Sequence, residues 1–307
     1  MTAPLSTTRS EAPSATPRDY NALAARIRAA AHPPLTCRVY GQQVTPDGAE
    51  RYDLLLVRIR AVGRTAFRVL LNGGTHGDEP AGVEAVTRFL EAERYRAWLA
   101  VDFTVTPCTN PWGYAADRRE GPGGRDLNRS FRRAGKTTPE ISLLKRALAG
   151  RHFDLFVDCH EDVDAPGLYV FAPSALGRAI VAAAAEVGPV HPGPAVDGEI
   201  PLKESVVELD AERAGPRRRT WSTWPLPFYI ARYHQRGRTQ TLAQRSVGDA
   251  RETEAENMLP PDIGRMPSAT IETPTCLPLQ QRVAMHLAAI DAALSTLRSD
   301  QVRRPGI

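Results

Sequence analysis

Histidine is the commonest protein ligand for zinc and a carboxylate is a common companion, so His76 and Glu79, spaced HxxE within HGDEPAG, form a candidate metal pair. They lie where a predicted strand, Ala66 to Leu71, passes through Asn72-Gly73-Gly74 into a helical pattern. In α/β sheets, ligands bind beyond the carboxyl ends of strands. A second apolar run, Phe153 to Cys159, ends on His160. If the two strands are parallel, both imidazoles emerge on one rim beside Glu79. Two histidines and a glutamate leave the fourth position of a catalytic zinc open to water, whose pKa falls toward about 7. That is the chemistry of metal-assisted hydrolysis. Each feature taken singly has a structural alternative: HGDE as a polar turn with a helix cap, and His160 as a strand-end histidine bonded to Asp158 or Asp162.

Several elements must position these residues. Helical periodicity runs from Tyr20 to Ala31 and stops before His32-Pro33-Pro34. Strand-like runs follow at Leu35 to Val44, Tyr52 to Ile59 and Ala66 to Leu71, separated by turn residues such as Pro46-Asp47-Gly48. A helix is predicted from about Ala81 to Leu99 and a strand over Val101 to Pro107. A helix follows at Pro139 to Leu148 with Thr138 as N-cap. Leu168 to Phe171 reads as strand, Ser174 as the cap of a helix through Val187, Ala269 to Thr273 as a short strand, and Leu279 to Leu297 as a terminal helix. Strands alternating with helices predict an α/β fold, a sheet with helices on its faces, and the length allows one large domain or two modest ones.

The chain has 307 residues and a formal net charge of +4, with basic residues dispersed apart from Arg217, Arg218 and Arg219, which argues against nucleic-acid binding. No run approaches the roughly 18 apolar residues of a membrane span. Residues 1–19 read as a flexible tail with no apolar signal core, so a cytoplasmic location is expected. Four cysteines without a CxxC pair make no disulfide framework. The catalytic domain is expected over 20–300, interrupted by an irregular, Pro- and Arg-rich insertion at about 189–267 that contains an aromatic island, Trp221 to His234.

The ordered set HGDEPAG, NPWG (Asn110 to Gly113), an arginine followed by DLNRSF (Asp126 to Phe131), DCH (Asp158 to His160) and IETPT (Ile271 to Thr275) resembles the carboxypeptidase A-like zinc carboxypeptidases, including the bacterial branch that trims cell-wall peptides. The opening GGTHGDE is also similar to the aspartoacylase and succinylglutamate desuccinylase group. The resemblance implies a single domain with a central mixed, mostly parallel twisted sheet flanked by helices, and one zinc ion held by His76, Glu79 and His160. It implies Glu272 as the general base, and a carboxylate at the end of a short strand can reach the same rim independently of any family. The structural alternative for Glu272 is a cap on the turn before Pro274. The resemblance further implies Arg119 as the group that polarises the scissile carbonyl, with Arg118 and Arg125 close neighbours in sequence. It implies Asn128 and Arg129 as the holders of a substrate carboxylate, for which a guanidinium is suited by its two parallel donors, and Asp126 as the carboxylate orienting a metal-bound imidazole. Here the loop before DLNR reads Arg119-Glu120-Gly121-Pro122-Gly123-Gly124, a departure from the bacterial pattern RxNxxG. Glu161 and Asp162 could receive a basic substrate group or pair with arginines. Tyr229 or Tyr233 could supply the mobile tyrosine of the family.

The function expected is a zinc metallocarboxypeptidase that hydrolyses an amide next to the free carboxylate of a small peptide. The alternative is a deacylase acting on an N-acyl amino acid. A third possibility is a non-catalytic binding protein that retains the fold.

Overall fold

The computed structural model describes residues 18–131, 137–198, 200–209, 226–234 and 268–303. The expected tail at 1–17, the arginine run 217–219, the first part of the aromatic island and the Tyr233 side chain lie outside the described residues. Arg18 and Asp19, placed in the tail by sequence, are instead anchored. Asp19 caps the helix α1 (Tyr20–Ala29) by accepting from the Ala22 N–H, and Arg18 bonds the carbonyls of Gly77 and Tyr114.

Ten strands are described: β1 (Leu35–Val44), β2 (Arg51–Ile59), β3 (Phe67–Gly73), β4 (Val101–Thr106), β5 (Leu155–Asp162), β6 (Tyr169–Ala172), β7 (Ala195–Val196), β8 (Ile200–Pro201), β9 (Val206–Glu208) and β10 (Ser268–Pro274). Eight of them form one sheet in the order β1-β2-β4-β3-β5-β10-β6-β9. The four central strands β4, β3, β5 and β10 are mutually parallel, and antiparallel pairs join β1 to β2, β2 to β4 and β10 to β6. Helices α2 (Pro80–Glu91), α3 (Pro111–Ala116), α4 (Pro139–Leu148), α5 (Ser174–Ala185), α6 (Leu226–Tyr233) and α7 (Leu279–Arg303) complete the fold.

Two hydrophobic layers follow from the period of two along the strands. Leu55 and Val57, Val69 and Leu71, Leu155 and Val157, and Ala269 and Ile271 enter the larger core with α1, α2, α5 and α7. The residues between them, Leu56, Leu70 and Phe156, enter a smaller core with α4 and α6. The central strands are therefore buried on both faces, as a parallel sheet requires.

Four expectations need correction. The helix predicted to Leu99 ends at Glu91, because Glu93 turns left-handed (φ 50°) and a 3₁₀ turn, Arg94–Ala97, folds Tyr95 and Trp98 back into the core. Ser174 does not cap α5; it is the first helical residue, and its hydroxyl bonds Glu208. The strand ending on His160 continues to Asp162, so the histidine sits inside the hydrogen-bonded ladder. The region read as an irregular insertion contributes β7 to β9 and α6 among its described residues, and β9 extends the main sheet beside β6.

Candidate metal centre and active site

Strand alternation decides which side chains meet. Since Leu155, Val157 and Cys159 face the larger core, Asp158 and His160 face the opposite side. Register then sets Asn72 of β3 beside Asp158, and Glu272 of β10 beside His160. Thr106 of β4 pairs with Asn72, and Tyr169 of β6 pairs with Glu272. Two polar rows thus cross the carboxyl ends of the central strands. One runs Thr106, Asn72, Asp158, Thr270; the other, nearer the rim, runs His160, Glu272, Tyr169.

The loop after β3 carries the remaining ligand candidates. It passes over α3 so closely that a Cβ on Gly77 would lie 2.0 Å from the Gly113 carbonyl carbon, which admits only glycine there. Glu79 directly precedes α2, whose first residue is Pro80, yet its carboxylate makes no cap. It turns instead to the histidines, with Oε1 2.6 Å from His76 Nδ1 and Oε2 2.7 Å from His160 Nδ1. The two Nδ1 atoms are 3.2 Å apart. Glu79 therefore does not supply the helix cap that the polar-turn alternative supposes. His160 turns Nδ1 to Glu79, while its Nε2 lies 3.1 Å from Asp158 Oδ2, within ion-pair distance but without a hydrogen bond.

Whether these residues suit a metal is answered by their donors. One oxygen and two imidazole nitrogens, all buried, lie within 4.8 Å of one another. Each imidazole turns its far nitrogen to a carboxylate and its Nδ1 inward: His76 Nε2 bonds Asp126 Oδ1 at 3.3 Å, which holds that ring, and His160 Nε2 lies within ion-pair distance of Asp158. Electrostatics agrees. Burial alone would lower both histidines, yet Glu79 and Asp126 around His76, and Asp158 and Glu79 around His160, raise them above the ordinary range. Burial would raise Glu79, but the two imidazoles hold its carboxyl well below the usual value. The place is one where positive charge is favoured, so these three residues could hold a divalent cation.

Around this centre the structure sorts the other candidates. Arg119 reaches inward, with Nη1 3.2 Å from Glu79 Oε1 and Nη2 3.5 Å from Asp126 Oδ2, whereas Arg118 and Arg125 are exposed. Asp126 starts the short 3₁₀ turn Leu127–Arg129 by accepting from the Arg129 N–H, which ties the DLNR segment to the His76 ring. Asn128 is buried, and its Oδ1 accepts from the Leu226 N–H at the start of α6. Glu272 is half-buried on the rim, and burial pushes its carboxyl up to about 8, against the opposing pull of His160.

Of the two alternatives for Glu161, the structure has the arginine pairing: on the other face of β5 it accepts from the Ala81 N–H of α2 and pairs with Arg282 of α7, in the helix layer. Asp162 accepts from the Tyr169 hydroxyl at 2.8 Å. Tyr229 is 2% exposed and packs on Phe131 and His234 in the smaller core, which removes it as a mobile cover.

Sequence reading missed a set of buried amides that hold the site. Asn72 Nδ2 donates to Asp158 Oδ1 (2.7 Å) and Thr75 Oγ1 (2.8 Å), while its Oδ1 accepts from the Thr106 and Thr109 hydroxyls. Its place as the last polar residue of β3 before the glycines was the available signal. Asn110 and Gln43 form a second set, taken up below.

Comparison with known proteins agrees with this geometry. Residues 66–185 match the model of the succinylglutamate desuccinylase/aspartoacylase catalytic domain, a span that holds the ligand candidates, Arg119, Asp126, Asn128 and Arg129 but not Glu272, Tyr229 or Tyr233. The crystal structure of a presumed metallopeptidase from Shewanella amazonensis SB2B superposes with a TM-score of 0.64 at 20% identity, covering 91% of this chain and 92% of that one. A metallo-carboxypeptidase from Burkholderia cenocepacia gives 0.57 at 17% identity over 92% and 70%. One from Pseudomonas aeruginosa, in complex with (2-guanidinoethylmercapto)succinic acid, gives 0.55 at 15% over 92% and 70%. No curated protein matches the chain. Both sides of the resemblance read from the motifs recur: the fold is like that of the metallo-carboxypeptidase structures, and the segment bearing the ligand candidates matches the desuccinylase/aspartoacylase model. Among the described residues no helix is long and apolar enough to cross a membrane.

Proposed function

We propose that this protein is a zinc-dependent metallocarboxypeptidase, hydrolysing an amide bond next to a free carboxylate. The observation that carries the reading is the register of β10 on β5, which sets Glu272 directly beside His160 on the same face of adjacent parallel strands. His76, Glu79 and His160 would hold the ion, which when bound supplies Lewis-acid polarisation of the carbonyl and a water of lowered pKa.

The chain's own groups do the rest. Glu272 takes the proton of the attacking water and passes it to the leaving amine. The Arg119 guanidinium, already at the inner edge of the site, faces the negative charge that develops on the carbonyl oxygen. Arg129 pairs with the substrate carboxylate, and Asn128, whose amide oxygen is held by the Leu226 N–H, presents its Nδ2 end as the donor. Asp126 keeps the His76 ring in place. The succinic acid derivative bound by the Pseudomonas aeruginosa metallo-carboxypeptidase supports a small carboxylate-bearing substrate. A second reading, deacylation of an N-acyl amino acid, is favoured by the family match over residues 66–185 and uses the same groups. The cytoplasm is the proposed location.

The test is to incubate the zinc-loaded protein with benzoylglycyl dipeptides and N-acetyl and N-succinyl amino acids and to follow products by mass spectrometry beside a chelator-treated control. Release of single C-terminal residues supports the carboxypeptidase, and cleavage of acyl amino acids alone supports the deacylase. Glu272→Gln is expected to lower kcat by about 10²- to 10⁴-fold with metal content unchanged. Full activity in that variant would remove Glu272 from its role.

A further inference from the structure

We infer that Gln43 and Asn110 are positioning residues for Arg119, a directional pair of buried amides running from the outer strand β1 to the loop that launches the guanidinium. This rests on the role proposed for Arg119.

Arg119 follows α3 in a loop, and its side chain is 42% exposed, so packing on the side chain alone does not fix it. What fixes it is its backbone. The Arg119 carbonyl accepts from Asn110 Nδ2 at 3.2 Å and from the Gly77 N–H of the metal loop at 3.4 Å, and the Glu120 carbonyl accepts from the same Nδ2 at 3.0 Å. Asn110 Oδ1 accepts from the Gly113 N–H at 3.1 Å and from Gln43 Nε2 at 3.0 Å. Gln43 Oε1 in turn accepts from the Trp112 N–H at 2.7 Å.

The direction of this chain of amides is forced. Backbone N–H groups of Trp112 and Gly113 can only donate, and the carbonyls of Arg119 and Glu120 can only accept, so both side-chain amides have one permitted orientation. Gln43 is 1% exposed and Asn110 fully buried, and an amide so placed is unfavourable unless both ends are bonded. A register shift between Val39 and Gly41 on β1 precedes Gln43, which lies inside while its neighbour Gln42 bonds Asp53 at the surface. Gly113 leaves room for the arrangement, since a Cβ there would lie 2.3 Å from Asn110 Nδ2. Without Gln43, Asn110 loses the donor that reinforces its orientation, and the Arg119 loop loses its hold.

The zinc-loaded full-length chain is the material for the test. Gln43→Met keeps side-chain volume and removes both bonds; Asn110→Asp keeps the bond from Gly113 and removes the donor to Arg119 and Glu120. Both are expected to speed amide exchange at Arg118 and Gly121 and to lower kcat by between about ten- and a hundredfold, with KM within about twofold, on whichever benzoylglycyl dipeptide or N-acyl amino acid is turned over. Combined with Arg119→Ala, either change should cost less than about twofold more, because its effect passes through that arginine. Unchanged exchange in both variants overturns the inference. So does a loss of kcat that persists in full in the Arg119→Ala background, which marks general destabilisation. Wild-type turnover in Arg119→Ala alone overturns the role proposed for that residue and the pair's catalytic meaning with it, whatever exchange shows.

Discussion

At His160 two carboxylates act from opposite sides: Glu79 meets Nδ1 inside the centre, and Asp158 stands off Nε2 at the buried end of the ring. Asp158 is itself held by Asn72 through its other oxygen. A carboxylate behind a ligating imidazole raises its basicity and fixes its tautomer, so Asp158→Asn is expected to weaken zinc binding by about 10- to 100-fold. Competition with a chromogenic chelator measures this, and an unaltered zinc Kd would make Asp158 a packing residue only. The ligand candidates His76, Glu79 and His160 were legible because each lies at or near a strand's carboxyl end within a contiguous motif. Gln43 was not, because one glutamine in LTCRVYGQQV carries no chemical pattern, and the register shift that accompanies its burial is a tertiary feature.

Among the elements, α2 and β5 are held closer than side chains allow. A Cβ on Gly82 would stand 2.7 Å from the Cys159 carbonyl oxygen, and that contact lies three residues beyond Glu79 and one before His160. Gly82→Ala should therefore cost about 1–3 kcal/mol of stability and weaken metal binding too, since separating helix from strand separates the ligands. Urea unfolding and chelator competition test both, and an unchanged urea midpoint would show that the helix can shift freely. Most strands and helices were readable from periodicity, whereas α2 was overrun because the apolar spacing continues through Tyr95 and Trp98 after the chain has turned back. The six-residue α3 escaped notice although Asn110 and Pro111 are a cap and first-turn proline.

For the molecule as a whole, the two faces of the sheet differ in what closes them. On the α4 and α6 side, His234 is buried, donates from Nδ1 to the Arg151 carbonyl at 2.8 Å, and accepts from the Phe153 N–H through its own carbonyl. Burial pushes its imidazole down to about 4. The native state thus binds fewer protons than the unfolded chain between pH 6.5 and 4. Its contribution is complete above about pH 6.5 and is lost as the pH falls toward 4, which amounts to roughly 2 kcal/mol between pH 7 and 4.5. Urea midpoints at those two pH values should differ less for His234→Gln than for the wild type, and an equal difference would place the sensitivity elsewhere. The sheet order itself was not legible. Alternating strands and helices predict a sheet with helices on its faces, but nothing in IETPT says that its strand lies between β5 and β6.

That placement governs when the candidate site can be completed. β10 is the last strand in sequence among the described residues, yet it fills a gap in the middle of the sheet. Until the ribosome has released Ser268–Pro274, β5 has an open edge and His160 lacks its neighbour. A nascent chain carrying all three ligand candidates would therefore still lack Glu272, and its unpaired β5 edge would be a template for association with other unfinished chains.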